Sequence, residues 1–137
     1  MFRNPELVPG SARPELRVLS LDLETTPDAG RVLSAALVGA GADEVHLLAT
    51  REVPGAISHP DEASLLRNIA ARIRALAPDV ITGWNVVDFD FAVLVARASA
   101  LGLAFEIGRA PGEIGLARDG SYTRQRRAEI PGRVVLD

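Results

Sequence analysis

The 137-residue chain has no cysteine, no lysine, and only 4% aromatic residues. Without cysteine it forms neither disulfides nor thiolate zinc sites, and it has no cysteine nucleophile. No apolar run approaches the roughly 18 residues of a membrane-spanning helix, which favours a cytoplasmic protein with no membrane partner. The net charge of −3 argues against binding nucleic acid by bulk positive charge. It does not exclude an enzyme that gathers carboxylates around metal ions.

The hydrophobic pattern predicts one α/β domain. Residues 1–15 are rich in proline and charge and are expected to form an arm or linker before a domain over residues 16–137. Five runs are expected to form a mixed sheet: residues 18–24, 31–38, 44–49, 79–82 and 133–137. The remaining predicted elements are a helix between Pro60 and Pro78, a helix over residues 89–101, a candidate strand over 103–107 and a loose hairpin within 108–132.

Two acids, Asp22 and Glu24, alternate along the first predicted strand, so both project from one face, about 6–7 Å apart at Cα. Leu19, Leu21 and Leu23 occupy the other face. If the acidic face is buried in the fold, two carboxylates there are costly unless a cation compensates them. Mg²⁺ and Mn²⁺ prefer such oxygen ligands. The alternative is that both acids face water, and the pattern alone leaves both interpretations open.

A third acid, Asp90, lies in an apolar run that the pattern assigns to the first turn of a helix. It follows the short predicted strand over residues 79–82. The alternative to a functional role is that Asp88 or Asp90 caps the helix. If the strand over residues 79–82 lies beside the strand of Asp22, then Asp90 faces Asp22 and Glu24 across a cleft.

Three converging carboxylates suit phosphodiester hydrolysis by two metal ions. Two cations about 4 Å apart clamp the phosphate, activate water and stabilise the leaving oxygen, so that no side-chain nucleophile is needed. The supply of other catalytic groups is small, since the chain has two histidines and no cysteine. The residues alone therefore predict an α/β domain with a candidate two-metal phosphodiesterase site.

The segments around these acids resemble the first two motifs of the 3′→5′ proofreading exonuclease domain of family B DNA polymerases. The first segment is Leu21-Asp22-Leu23-Glu24-Thr25-Thr26, and the second, more specific one is Gly83-Trp84-Asn85-Val86-Val87-Asp88-Phe89-Asp90. The flanks also resemble the family at Arg3-Asn4-Pro5, at Pro78-Asp79-Val80-Ile81 and at Gly132-Arg133. The likeness covers nearly the whole chain and is nearest to the bacterial DNA polymerase II branch.

This resemblance implies a ribonuclease H-like fold with a mixed five-stranded sheet flanked by helices. It also implies hydrolysis of the 3′-terminal phosphodiester of DNA, a polymerase domain in the same parent chain, and a bacterial, nucleoid-associated location. Its implied catalytic residues are the ligands of two Mg²⁺ or Mn²⁺ ions: Asp22, Glu24 and Asp90. Its implied contacts to the single-stranded 3′ end of DNA are Thr25, Asn85 and Phe89. The family spacing from the asparagine selects Asp90 over Asp88.

The sequence departs from the family at its C-terminal end. The family completes its site with a Tyr-x-x-x-Asp motif on a helix after the last strand, whereas this sequence ends at Asp137. Tyr122 is the only tyrosine, and Arg126 stands four positions later. We therefore expect a domain truncated before its C-terminal helix, with negligible nuclease activity in isolation. A stand-alone ribonuclease H-like exonuclease and an inactive structural or interaction fragment stay open as alternatives.

Other conspicuous residues have simpler interpretations. Trp84 is expected to pack beneath the site, with base stacking as the alternative. His46 and His59 are expected at the surface. The arginines of residues 124–127 are expected on the solvated face of a hairpin, with contact to the DNA backbone as the alternative.

Overall fold

The computed structural model describes residues 9–118 and 126–137. Its strands are β1 (Val18–Thr25), β2 (Val32–Gly39), β3 (Ala42–Leu48), β4 (Ile57–His59), β5 (Val80–Thr82), β6 (Gly115–Arg118), β7 (Arg126–Glu129) and β8 (Val134–Leu136). Its helices are α1 (Glu62–Leu76), a π-helix (Val86–Phe91) and α2 (Ala92–Ala100). No helix of the described residues is long and apolar enough to span a membrane. The assignment of residues 1–15 to an arm stays a prediction.

A six-stranded mixed sheet in the order β4-β3-β2-β1-β5-β8 organises the fold. The β1–β2 and β2–β3 pairs are antiparallel, and the other pairs are parallel. The mixed α/β architecture and the five expected strands are thus confirmed. The short edge strand β4 was missed because its three residues, Ile57–His59, are too few to establish an alternating pattern.

The leucine face of β1 is buried, while its acidic face is open. Leu19 and Leu21 are fully buried in one core with Ile69 of α1 and Leu94 of α2, so these helices pack on that face. Of the two interpretations that the sequence leaves open, the structure shows the second, because Asp22 and Glu24 are both exposed to solvent. Val18, on the same face, is 44% exposed.

Helix α1 begins and ends where the sequence predicts. Asp61 is its N-cap, and the Asp61 carboxylate accepts a hydrogen bond of 2.7 Å from the backbone N–H of Ser64. Ala77 closes the helix in the left-handed conformation, at φ 46°, one residue before Pro78. The chain therefore passes directly from α1 into β5, which pairs with β1.

The second predicted helix begins earlier than expected. Its first turns form the π-helix over Val86–Phe91, which continues into α2. A π-helical turn shifts the side chains that follow it relative to an α-helix and is frequent at functional sites. The segment 83–91 therefore connects β5 to α2 by way of the candidate site.

The candidate strand over residues 103–107 was wrong. The segment has no strand partner among the described residues, and arginine side chains bond its carbonyl groups instead. Arg133 Nε donates to the carbonyl of Ile107 at 2.6 Å, and Arg74 donates to the carbonyl of Glu106. Because these carbonyls are satisfied by guanidinium groups, the segment is held without joining the sheet. The expected hairpin is confirmed as the separate two-stranded sheet of β6 and β7.

The two histidines are buried, so the expectation that they lie at the surface was wrong. His46 on β3 and His59 on β4 are 3% and 4% exposed. His46 Nδ1 lies 3.0 Å from His59 Nε2, and the two rings stack with 5.2 Å between centroids. Two polar rings are tolerated there because each supplies a hydrogen-bond partner to the other. Of the basic run over residues 124–127, Arg127 is exposed, whereas the side chains of residues 124 and 126, like Tyr122, lie outside the described residues.

Candidate metal centre

The C-terminal half of β1 carries Asp22 and Glu24 on the open face of the sheet. Asp22 lies opposite Ala36 of β2, and Glu24 lies opposite Ser34. Both acidic side chains are exposed. Both opposite residues on β2 have small side chains, and the register shifts directly after Glu24.

Asp90 is distant from Asp22 and Glu24 in the sequence but lies against the same strand in the fold. The pairing of β5 with β1 ends at Ser20, which leaves the following edge of β1 open. Asp90 Oδ1 accepts a hydrogen bond of 2.8 Å from the backbone N–H of Leu23 at that edge. The predicted adjacency of β5 and β1 is therefore confirmed, and it brings Asp90 to the strand segment that carries Asp22 and Glu24.

Asp90 is only 2% exposed. Burial, and secondarily the negative charges of Asp22 and Asp137, raise the pKa of Asp90 to about 6 against the opposing hydrogen bond from Leu23. A buried acid whose charged neighbours are other acids is an environment that a cation would stabilise.

Asp137 also belongs to this cluster, although the sequence analysis assigned it no role in the site. Its Oδ1 accepts a hydrogen bond of 2.9 Å from the backbone N–H of Val86, the first residue of the π-helix. The order of the strands could have indicated this position of Asp137. Because β1, β5 and β8 are parallel neighbours, their C-terminal ends meet at one edge of the sheet. An acid that directly follows β8 is therefore brought to Asp90.

The three residues that the resemblance assigns to DNA contact lie at this edge. Thr25 ends β1, Asn85 precedes the π-helix with φ 57°, and Phe89 is 37% exposed within it. Asn85 is anchored because its carbonyl accepts from the backbone N–H of Phe89 at 2.9 Å. Trp84 is 93% exposed, so the expectation that it packs beneath the site was wrong.

The donor chemistry of this edge fits a divalent cation, since its side chains are carboxylates and an amide. In the described part of the chain, however, no three His, Asp or Glu side chains converge closely enough to hold an ion. Asp22 and Glu24 project into solvent, and Asp90 alone is buried. The assignment of these three residues as metal ligands stays a prediction.

Comparison with known proteins identifies the class. Residues 2–137 match the family model described as DNA polymerase family B, exonuclease domain. The chain belongs to this family, so the resemblance and the ribonuclease H-like α/β fold are confirmed.

Particular relatives are full-length polymerases. The chain is 31% identical over 134 residues to DNA polymerase II of Escherichia coli, an alignment that covers 91% of this chain and 17% of that protein. It is 30% identical over 137 residues to a DNA polymerase of Desulfurococcus, which covers 96% of this chain and 17% of the relative. A solved structure of the family B DNA polymerase from Pyrobaculum calidifontis aligns with a TM-score of 0.71 and 28% identity, covering 94% of this chain and 16% of that one. The chain thus spans about 17% of the length of these curated relatives.

Proposed function

We propose that this domain hydrolyses the 3′-terminal phosphodiester of DNA as the metal-dependent proofreading unit of a longer polymerase of the DNA polymerase II kind. The observation that carries the proposal is the position of Asp90. This buried carboxyl group is held against the backbone of Leu23 with the charges of Asp22 and Asp137 nearby. In a member of the family B exonuclease domains, such a concentration of negative charge favours cation-dependent chemistry.

Asp22, Glu24 and Asp90 would hold two Mg²⁺ or Mn²⁺ ions. When bound, such ions supply activated water and stabilise charge on the scissile phosphate. The contribution of the protein is positioning. The hydrogen bond from Leu23 to Asp90 and the adjacent β1 positions of Asp22 and Glu24 tie the ligands to a central strand.

Thr25, Asn85 and Phe89 would receive the single-stranded 3′ end. The aromatic ring of Phe89 is partly exposed and offers an apolar surface to a nucleobase. The Asn85 side chain offers both a donor and an acceptor. The remaining partner is the polymerase region of the parent chain, since the relatives are about six times longer than the region they share with this domain.

The test is a paired substitution in the longer polymerase that carries this domain. Asp22→Ala with Glu24→Ala should reduce excision of a 3′-terminal nucleotide about a thousandfold or more, while nucleotide addition stays close to wild type. Excision and addition are measured on the same labelled primer, with and without Mg²⁺. The matched control is Asp43→Ala with Glu52→Ala, two exposed acids away from the site, which removes equal charge and should leave excision unchanged.

Excision by the Asp22/Glu24 variant at the wild-type rate would contradict the proposal. A second candidate function, a DNA-binding module without catalysis, is favoured by the solvent exposure of Asp22 and Glu24. In that case the wild-type polymerase should bind a frayed primer end and release no mononucleotide.

A further inference from the structure

Trp84 is the only tryptophan of the chain, and 93% of it is exposed. It borders a recess of about 370 Å³ whose other lining residues are Gly83, Asn85 and Asp137. An indole ring has a large apolar surface, and such rings are usually buried at least in part. A tryptophan this exposed beside a candidate catalytic edge is therefore available to a ligand.

The backbone holds Trp84 in a defined position from both sides. At Gly83, an added Cβ would collide with the backbone carbonyl oxygen of Leu21, so the chain passes against β1 at a point that only glycine permits. Asn85 adopts the left-handed conformation with φ 57°, which is uncommon for a residue other than glycine and is found at ligand-binding sites. The hydrogen bond from Val86 to Asp137 fixes the next residue.

The lining of the recess has the chemistry of a nucleobase site. The faces of an indole stack on any base, and the Asn85 amide and Asp137 carboxylate offer acceptors and donors to polar groups on the base edge. A phosphate group is disfavoured at the recess because Asp137 and the nearby Asp90 are acidic.

We propose that Trp84 is a stacking platform for an unpaired nucleobase of single-stranded DNA, with Asn85 and Asp137 at the edge of that base. This proposal rests on the proposed nuclease function and adds a residue that holds the substrate strand. Trp84 is a positioning residue, since it contacts a base and none of the reacting atoms.

The single tryptophan permits a direct test on the 137-residue chain. Intrinsic emission is recorded while an oligonucleotide with hydrolysis-resistant phosphorothioate linkages is added in Mg²⁺, and the anisotropy of a dye on its 5′ end reports binding independently. Stacking should quench and shift the Trp84 emission in parallel with the anisotropy. An abasic oligonucleotide of equal length and charge should leave the emission unchanged.

Substitutions separate stacking from general binding. Trp84→Ala should weaken binding about tenfold or more, since one base stack corresponds to such a change in affinity. Trp84→Phe, which keeps an aromatic face, should retain most of the affinity. The matched control is Leu16→Ala, which truncates a side chain that is 58% exposed just before β1, at the end of that strand away from the site.

The outcomes distinguish the two proposals. Binding with unchanged Trp84 emission, or equal affinities for Trp84→Ala and Leu16→Ala, overturns the stacking proposal and leaves the nuclease proposal standing. Equal quenching by the abasic oligonucleotide overturns it as well, because the backbone alone would then be the ligand. If the wild-type chain binds neither oligonucleotide, the stacking proposal fails, and the excision assay on the longer polymerase decides the nuclease proposal separately.

Discussion

Glu62 and Asp90 are both nearly buried carboxylates, 6% and 2% exposed, but the fold treats them in opposite ways. Glu62 at the start of α1 accepts hydrogen bonds from the backbone N–H of Val32 at 2.9 Å and from two nitrogens of Arg97. The hydrogen bonds from Arg97 hold the pKa of Glu62 below its ordinary value. Asp90 accepts from one backbone N–H, and burial together with two further acids raises its pKa to about 6.

Other acids away from the candidate site follow the pattern of Glu62. Glu44 on β3 pairs with Arg72 of α1, and Asp79 pairs with Arg109 at 2.7 Å. In both cases hydrogen bonds keep the pKa of the carboxyl group low, from Arg72 at Glu44 and from the backbone of Arg17 at Asp79. The fold thus pairs Glu62, Glu44 and Asp79 with its own arginines. At Asp90, by contrast, burial and then the neighbouring acids raise the pKa, which is the pattern expected of a functional site.

The largest stability effect is expected when the Glu62 pair is broken. Glu62→Ala leaves the guanidinium group of Arg97 and the backbone N–H of Val32 without their partner, so the free energy of unfolding should fall by about 4 kcal/mol. Urea unfolding of the 137-residue chain in EDTA measures this loss of unfolding free energy. Arg72→Ala, at a pair that is more exposed to solvent, should lower the free energy of unfolding far less. Equal losses would show that burial does not distinguish the two pairs.

Substitution of Asp90 is expected to change the free energy of unfolding in the opposite direction. Its pKa is higher in the folded chain than the ordinary value of 3.8, so the folded state binds the proton more tightly and ionisation destabilises it as pH rises from about 4 to 6. In EDTA at pH 8, Asp90→Asn should therefore raise the free energy of unfolding by about 2–3 kcal/mol. The gain should shrink towards pH 4, where wild-type Asp90 is protonated. If Asp90→Asn were less stable than the wild-type chain at pH 8, then burial and repulsion from neighbouring acids would not destabilise ionised Asp90, and the prediction would be contradicted.

The histidine pair supplies a third, intermediate case. Burial lowers the pKa of His46 and of His59 below 6.5, so the folded state binds their protons less tightly than the unfolded state does. The stability that the neutral pair contributes is present above pH 6.5 and is lost as pH falls below that value. In the Asp90→Asn chain, which lacks the opposing titration of Asp90, the free energy of unfolding should therefore decline between pH 7.5 and 5, and adding His46→Leu should flatten that slope. An unchanged slope in that variant would assign the acid sensitivity to other groups.

The smallest effect is expected from metal binding to the isolated chain. Because Asp22 and Glu24 project into solvent and the described residues form no three-ligand group, affinity for Mn²⁺ should be weak. At a concentration equal to the dissociation constant, binding stabilises the fold by about 0.4 kcal/mol, or about 2 °C in the thermal midpoint.

The shift should vanish in the Asp22→Ala, Glu24→Ala chain and persist in the Asp43→Ala, Glu52→Ala control. An equal shift in the chain without Asp22 and Glu24 would place the ion elsewhere and withdraw both residues as ligands.

Local patterns in the sequence determined the elements that position the site. The alternation of leucines with acids predicted β1, and the helical spacing behind Asp61 predicted α1 with its correct ends. The motif residues from Gly83 to Asp90 predicted the family, which the match over residues 2–137 confirms. These signals are local, because strand alternation, helix capping and motif spacing all act over a few residues.

Tertiary structure alone decided which polar groups meet. The burial of His46 and His59, the arginine bonds to the carbonyls of residues 106 and 107, and the position of Asp137 beside the π-helix each join residues that are distant in sequence. The exposure of Trp84 likewise depends on which surfaces of the sheet are covered. Such features depend on strand order and on pairings across the fold, and a linear pattern of hydrophobic and charged residues carries no direct record of either.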